Sequence, residues 1–108
     1  MKVGEVWAVD FPFEEDSAQS KIRPCIIMDL DTLEVLTIKV TKHESRDEYD
    51  IPIFKWQAAN LPEPSYARVA KTMAFSKDSF IKKYGDLCST DFRNISKAFI
   101  EYHINLQK

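Results

Sequence analysis

The chain has 108 residues, 44% of them apolar, and a formal charge of −2, which gives room for one domain with one core. That charge argues against a protein that clings to polyanions by bulk attraction, although its fifteen Lys and Arg need only cluster to make a local basic groove. Glycine occurs twice, at Gly4 and Gly85, which excludes a phosphate loop or a dinucleotide fingerprint, and no apolar run approaches the ~18 residues of a membrane span.

Cys25 and Cys88 match no metal-ligand spacing, and Cys25 lies in the apolar run Cys25-Ile26-Ile27-Met28, where a buried free thiol is expected. The start, Met1-Lys2-Val3-Gly4-Glu5, has no apolar signal core, so the cytoplasm is the expected location.

In chain order, Val3, Trp7, Val9, Phe11 and Phe13 share one parity and predict a half-buried strand that Pro12 loosens. The polar stretch from Glu14 to Lys21 reads as an exposed loop. From Ile22 to Leu30 the sequence is apolar on both parities after Arg23-Pro24, as in a strand covered on two faces. Between Leu33 and Thr41 the even positions Leu36, Ile38 and Val40 are aliphatic and the odd positions Thr37, Lys39 and Thr41 polar. Alternation then sends the aliphatics inward and the polar set to a wet face.

Tyr49, Ile51 and Ile53 form a further short strand, with Pro52 suggesting a sheet edge. Lys55 to Leu61 has room for a helical turn, and Pro62 and Pro64 force an extended passage. Ser65 to Ala74 reads as a strand. Ser76, Asp78 and Phe80-Ile81 read as a capped short helix ending near Gly85. The clearest helix is C-terminal: Ser89 or Thr90 caps it, and Phe92, Ile95, Phe99, Tyr102 and Leu106 form one apolar stripe. That stripe is expected to pack on the sheet, the alternative being a partner surface.

Most catalytic templates fail. His43 and His103 have no acid or second His at a metal-like spacing, no nucleophile elbow is present, and Glu14-Glu15-Asp16 is a contiguous loop run rather than an opposed acid pair. What remains is a polar set on strands: Arg23, Lys39, Thr41, Lys42 and His43, with Gln19 and Lys21 in the preceding loop. Guanidinium, ammonium and hydroxyl groups are what a phosphodiester needs for positioning and for charge stabilisation. RNA brings its own nucleophile in the 2′-hydroxyl, so such a site works without metal or covalent intermediate. Periodicity alone is equally met by a solvated strand face.

Four segments resemble one family. Gly4-Glu5-Val6-Trp7, then Arg23-Pro24-Cys25-Ile26-Ile27, is similar to the opening of MazF/PemK toxins. A strand ending Val40-Thr41 resembles the family's strand that finishes on a catalytic Thr or Ser. Leu61-Pro62-Glu63-Pro64-Ser65-Tyr66-Ala67 and Gly85-Asp86-Leu87 follow in the family's order. The resemblance implies a mainly β (α+β) fold, a small strongly bent SH3-like β-barrel of the CcdB/PemK type with a C-terminal helix and short peripheral helices, spanning residues 1–108 as a single domain. It implies a homodimer that cleaves single-stranded mRNA at selected sequences, with no metal and no cofactor, and a cognate antitoxin protein covering the same groove.

By position, Arg23 and Thr41 become the catalytic residues, and Ser17, Gln19, Lys21, Lys39, His43, Ser65 and Arg68 the substrate-binding set. The loop departs from many relatives: it has no Gly and carries Glu14, Glu15 and Asp16, whose charge repels phosphate. The competing readings are a catalytically inactive binding module on the same fold and a CcdB-like gyrase poison. The ending Asn105-Leu106-Gln107-Lys108 lacks the apolar tail of the latter.

Overall fold

In the computed structural model, residues 1–12, 20–30, 33–43 and 47–106 are described, with the side chains of 11, 12, 20 and 21 left aside. Six strands form one antiparallel sheet: β1 (Glu5–Pro12), β2 (Ser20–Asp29), β3 (Glu34–Thr41), β4 (Asp50–Ile53), β5 (Ser65–Ser76) and β6 (Phe80–Asp86). Their spatial order is β4-β5-β3-β2-β1-β6, and α1 (Ser89–Leu106) packs against β4 and β5. The short strand with Pro52 is indeed an edge. The sheet curls without closing.

Curling gives it two cores. On the helix side, Val6, Ile26, Ile38 and Val40 pack with Ile95 and Ala98 of α1, joined by the half-buried Phe92, Phe99 and Tyr102. On the other side Val9, Cys25 and Phe75 are closed over by Trp7, Met73 and Phe80. The alternation expected of β3 therefore holds, but its polar parity is not a wet face: Thr37 is fully buried and Thr41 is 8% exposed. Thr37 resolves its burial by donating its hydroxyl to the Met73 carbonyl at 2.9 Å. β1 is likewise covered on both faces.

The bend has a local cause. β3 and β5 pair regularly from Glu34↔Ser76 to Ile38↔Thr72, and the next pair is Lys39↔Arg68. Residues 69–71 are bulged out of the ladder, with Val69 N–H bound instead to the Tyr49 carbonyl at 3.0 Å and the Thr72 hydroxyl to the Val69 carbonyl at 2.8 Å. Such a bulge sharpens twist and re-aims the side chains beyond it.

Other readings are corrected as well. The segment from Phe80 to Gly85 is a strand rather than a short helix: after one tight turn over Lys77–Ser79, it pairs with the open edge of β1 and sets Phe80 against Trp7 and Phe75. Tertiary pairing outweighs the weak cap signal of Ser76, whose side chain makes no cap hydrogen bond. The polar loop does not extend to Lys21, because β2 begins at Ser20 and pairs with Pro12. The end of the helical stripe is exposed, with Leu106 62% accessible.

Residues 55–61 form hydrogen-bonded turns, and the helix start is held by Cys88 rather than Ser89 or Thr90. The Cys88 sulfur accepts from Asp91 N–H at 3.4 Å, and its carbonyl accepts from Phe92 N–H at 3.0 Å. The glycines mark close approaches. A Cβ on Gly85 would lie 2.7 Å from the Ala59 carbonyl oxygen, and Gly4, at φ +92°, exchanges backbone bonds with Ile27 and Leu87.

Glu5 anchors the start of β1. Its carboxylate accepts from the Trp7 indole N–H at 2.9 Å and the Lys2 amide at 2.8 Å, and meets Lys83 Nζ at 2.9 Å. Burial works against the charge, but the bonds from Trp7, Lys83 and Lys2 prevail and hold the pKa at about 2. A carboxyl depressed in the folded state stabilises above its unfolded pKa and loses that contribution as pH falls through the folded one. Thermal melts of the protein and of Glu5→Gln should therefore differ by about 1–2 kcal/mol near neutrality, allowing for solvent screening at Lys83, and converge between pH 4.5 and 2.

Candidate functional site

The antiparallel register explains why residues distant in sequence meet. Cys25 pairs with Lys39, and ladder pairing of β2 with β3 runs from there to Asp29↔Leu36. Continuing the same alternation by two residues brings Arg23 and Thr41 side by side on the face that carries Lys39, just past the last pair. Beyond that point a cavity of about 350 Å³ opens, and its wall includes Arg23, Lys39, Thr41, His43, Ser65 and Arg68. Pro24, Leu61 and Tyr84 add apolar surface, and among the described residues Glu63 is the one acid on the wall.

One cross-strand row organises the cations. Asp50 on β4 pairs with Arg68 on β5, Arg68 with Lys39 on β3, and Lys39 with Cys25 on β2. Like charges directly opposite one another destabilise a sheet. Asp50 offsets this from the outer side, its Oδ1 lying 3.3 Å from Arg68 Nε, with side-chain exposures of 2% and 8%. The Lys39 pKa is lowered, first by burial and then by the positive charges of Arg23, Arg68 and Lys71. Burial pushes the Cys25 thiol up to about 12, against a weaker opposing pull from the Thr37 hydroxyl and Lys39, so this cysteine is an inert packing residue.

The hydroxyls differ. Thr41 Oγ1 accepts from His43 N–H at 3.3 Å, which leaves its own O–H to donate to a ligand. Ser65 donates to the Glu63 carbonyl at 2.8 Å and so braces the loop at the rim. Lys42 and His43 are exposed.

Of the residues singled out from sequence, Arg23, Thr41, Lys39, His43, Ser65 and Arg68 share this cavity. Ser17 and Gln19 lie outside the described residues, as does most of the acidic loop. Lys21 is placed by its backbone, opposite Phe11. Asp50 was missed. Its only sequence signal is an acid at the start of an alternating strand, and its partner Arg68 is eighteen residues away. Among the described residues no three His, Cys, Asp or Glu side chains stand together as a metal site, and no helix is long and apolar enough to cross a membrane.

Solved structures share the fold. An endoribonuclease from a mycobacterial species, determined in complex with its cognate antitoxin, superimposes with a TM-score of 0.73 at 14% identity, over 92% of this chain and 90% of that one. The Mycobacterium tuberculosis toxin MazF-mt6 superimposes with a TM-score of 0.70 at 14% identity, over 88% and 91% of the two chains. No curated protein matches in sequence. The family described as PemK-like, MazF-like toxin of type II toxin-antitoxin system matches residues 2–103, nearly the whole length, in keeping with the four segments that resemble it. The chain belongs to the PemK/MazF-like family of type II toxin–antitoxin toxins.

Proposed function

We propose that the protein is an endoribonuclease that cleaves single-stranded RNA at this cavity. The observation that carries the reading is the meeting of Arg23, Lys39 and Arg68 with the Thr41 hydroxyl around one 350 Å³ space. A diester needs such a set: cations for its non-bridging oxygens and a donor to hold it in line. The family and the shared fold with mycobacterial endoribonucleases support the same reading.

In the reaction, the 2′-oxygen bonds to phosphorus, the bond from phosphorus to the 5′-oxygen breaks, and the proton lost by the 2′-hydroxyl is matched by one gained at the 5′-oxygen. The products are a 2′,3′-cyclic phosphate and a 5′-hydroxyl. Arg23 holds a non-bridging oxygen, stabilises its growing charge and hands on the proton. Thr41 donates to the same phosphate. Lys39, His43 and Arg68, with Ser17 and Gln19 from the loop and Lys21 from the start of β2, hold the neighbouring nucleotides, and Ser65 supports the rim. None of these steps requires a metal.

The protein works in the cytoplasm as a homodimer, and a cognate antitoxin occupies the same cationic cavity. Purified protein incubated with a long single-stranded RNA in EDTA should yield fragments with 5′-hydroxyl ends, detected by direct labelling with a polynucleotide kinase. An RNA rich in sequence that stays intact under these conditions would sink the reading.

A further inference from the structure

Glu63 is the one acid among the described residues on a wall that also carries three Lys and Arg side chains beside Thr41. A carboxylate there repels a phosphate, so the backbone of an RNA gives it no use. Near it the wall turns apolar, with Leu61 and Tyr84. An aromatic ring and an acceptor beside a phosphate site are the parts of a base pocket.

The fold fastens these parts to one another. Val6 pairs with Gly85 and Trp7 with Lys83, so Tyr84 is the extra residue of a bulge in β6. A bulge re-aims its side chain. The Tyr84 carbonyl accepts from Asn60 Nδ2 at 2.8 Å, and Asn60 itself takes the left-handed φ of +59°. The backbone of Gly85 lies hard against Ala59. The turn that leads to Glu63 is thereby locked onto the strand that carries Tyr84. From the far side, the Ser65 hydroxyl donates to the Glu63 carbonyl. Tyr84 is half-buried against the helix-side core, and Glu63 is exposed. Lys82 Nζ lies 5.7 Å from the Tyr84 ring centroid, a cation placed to follow a nucleic-acid backbone past a stacked base.

We propose that Tyr84 and Glu63 form a pocket for a base next to the scissile phosphate, and that the pocket selects guanine. The inference rests on the ribonuclease reading and deepens it by naming a base. Every base has a face that stacks on an aromatic ring, so Tyr84 sets how firmly the nucleotide is held and not which one. Glu63 makes the choice. An ionised carboxylate only accepts hydrogen bonds. Guanine presents two adjacent donors, N1–H and the 2-amino group, which match its two oxygens. Adenine and cytosine offer one amino group with an acceptor beside it. Uracil sets a single N3–H between two carbonyl oxygens, so its lone pairs meet those of the carboxylate. A site that is left with an unpaired acceptor by the wrong base rejects that base.

The test exposes a random single-stranded RNA to the whole protein and maps the cuts by sequencing from the 5′-hydroxyl ends. One position flanking the break should favour guanine over uracil by about tenfold or more. In a synthetic RNA, inosine at that position lacks the 2-amino group and should lower kcat/KM by about tenfold. Glu63→Gln offers one donor and one acceptor, which suit O4 and N3–H of uracil. Its guanine-to-uracil ratio should fall to within about threefold of unity at that position alone. Tyr84→Leu keeps an apolar side chain against the core but has no aromatic face. Assayed below its melting temperature, it should lose about tenfold in kcat/KM whichever base is present, and Tyr84→Phe should restore the rate.

A Glu63 that only balances the neighbouring cations behaves differently. As Gln it would tighten every RNA alike and leave the base bias intact. That result, parental cuts with no guanine bias beside the break, or Tyr84→Leu at the parental rate overturns the proposal. If no RNA is cut, the ribonuclease reading falls by itself. The pocket is then judged by titrating guanosine 3′-monophosphate and uridine 3′-monophosphate into ¹⁵N-labelled protein. The guanosine nucleotide should move the Ser65 and Gly85 amide resonances at about tenfold lower concentration, a difference that Glu63→Gln removes. Equal affinity for the two nucleotides ends the proposal as well.

Discussion

Arg23→Ala should reduce RNA cleavage by about 10³-fold or more while leaving the far-ultraviolet circular dichroism spectrum unchanged. Arg23 is only half-buried, at the end of a strand whose core residues, Cys25, Ile26 and Ile27, are untouched by the change. Its loss removes one cation of the cavity wall and leaves the wall otherwise complete. Arg23→Lys keeps the charge but not the two-pronged geometry, and should recover less than a tenth of the activity. Thr41→Val is the matching test of the hydroxyl. It preserves volume at a position only 8% exposed, and should cost about 10² in rate. The lost acceptor for His43 N–H is replaced by water, since His43 is exposed. Variants at both positions that still cut RNA at the parental rate would show the site to be misassigned.

Asp91→Ala should be the most damaging single change to stability away from the cavity. This carboxylate is 1% exposed and accepts the backbone N–H groups of Phe54 at 3.1 Å and Lys55 at 2.8 Å. It also accepts a hydrogen bond from the Cys88 thiol at 3.3 Å, and it sits in the first turn of α1 where the helix dipole favours a carboxylate. One residue thereby joins the helix start to the chain leaving β4. Truncation orphans two amides at once and should cost about 3 kcal/mol, a fall of roughly 15 °C in melting temperature. Asp91→Asn keeps one acceptor oxygen and should lose about half as much. A melting temperature within two or three degrees of the parent's (about half a kcal/mol) would mean that water satisfies those amides readily.

Which parts of this were legible in the sequence follows from the range of the forces involved. β1, β3 and β4 declare themselves through alternation, β2 through an unbroken apolar run and α1 through the three-four stripe, because their apolar patterns answer to a nearby core. β6 does not. Phe80-Ile81-Lys82-Lys83-Tyr84 has no clean period, and it becomes a strand only because β1 has an open edge to pair with.

The polar parity of β3 was read correctly as a set but given the wrong surroundings. Thr37 and Thr41 are covered because the sheet curls at the 69–71 bulge, and three-residue slips in pairing leave no mark on composition. Of the cavity residues, Lys39 and Thr41 are marked by alternation, Thr41 by the resemblance as well, and Arg23 mainly by its place before Pro24 in the resemblance. Asp50 and Asp91 were not, since a buried acid is recognisable only by its partners, and those lie eighteen and about thirty-seven residues away.

The row Asp50, Arg68, Lys39 has a thermodynamic consequence for how such a toxin is governed. A polyanion that binds beside the facing cations Arg68 and Lys39 shifts the folding equilibrium toward the native state by mass action. An acidic inhibitor segment would then block the chemistry and protect the fold in one event. Its removal would withdraw both effects at once.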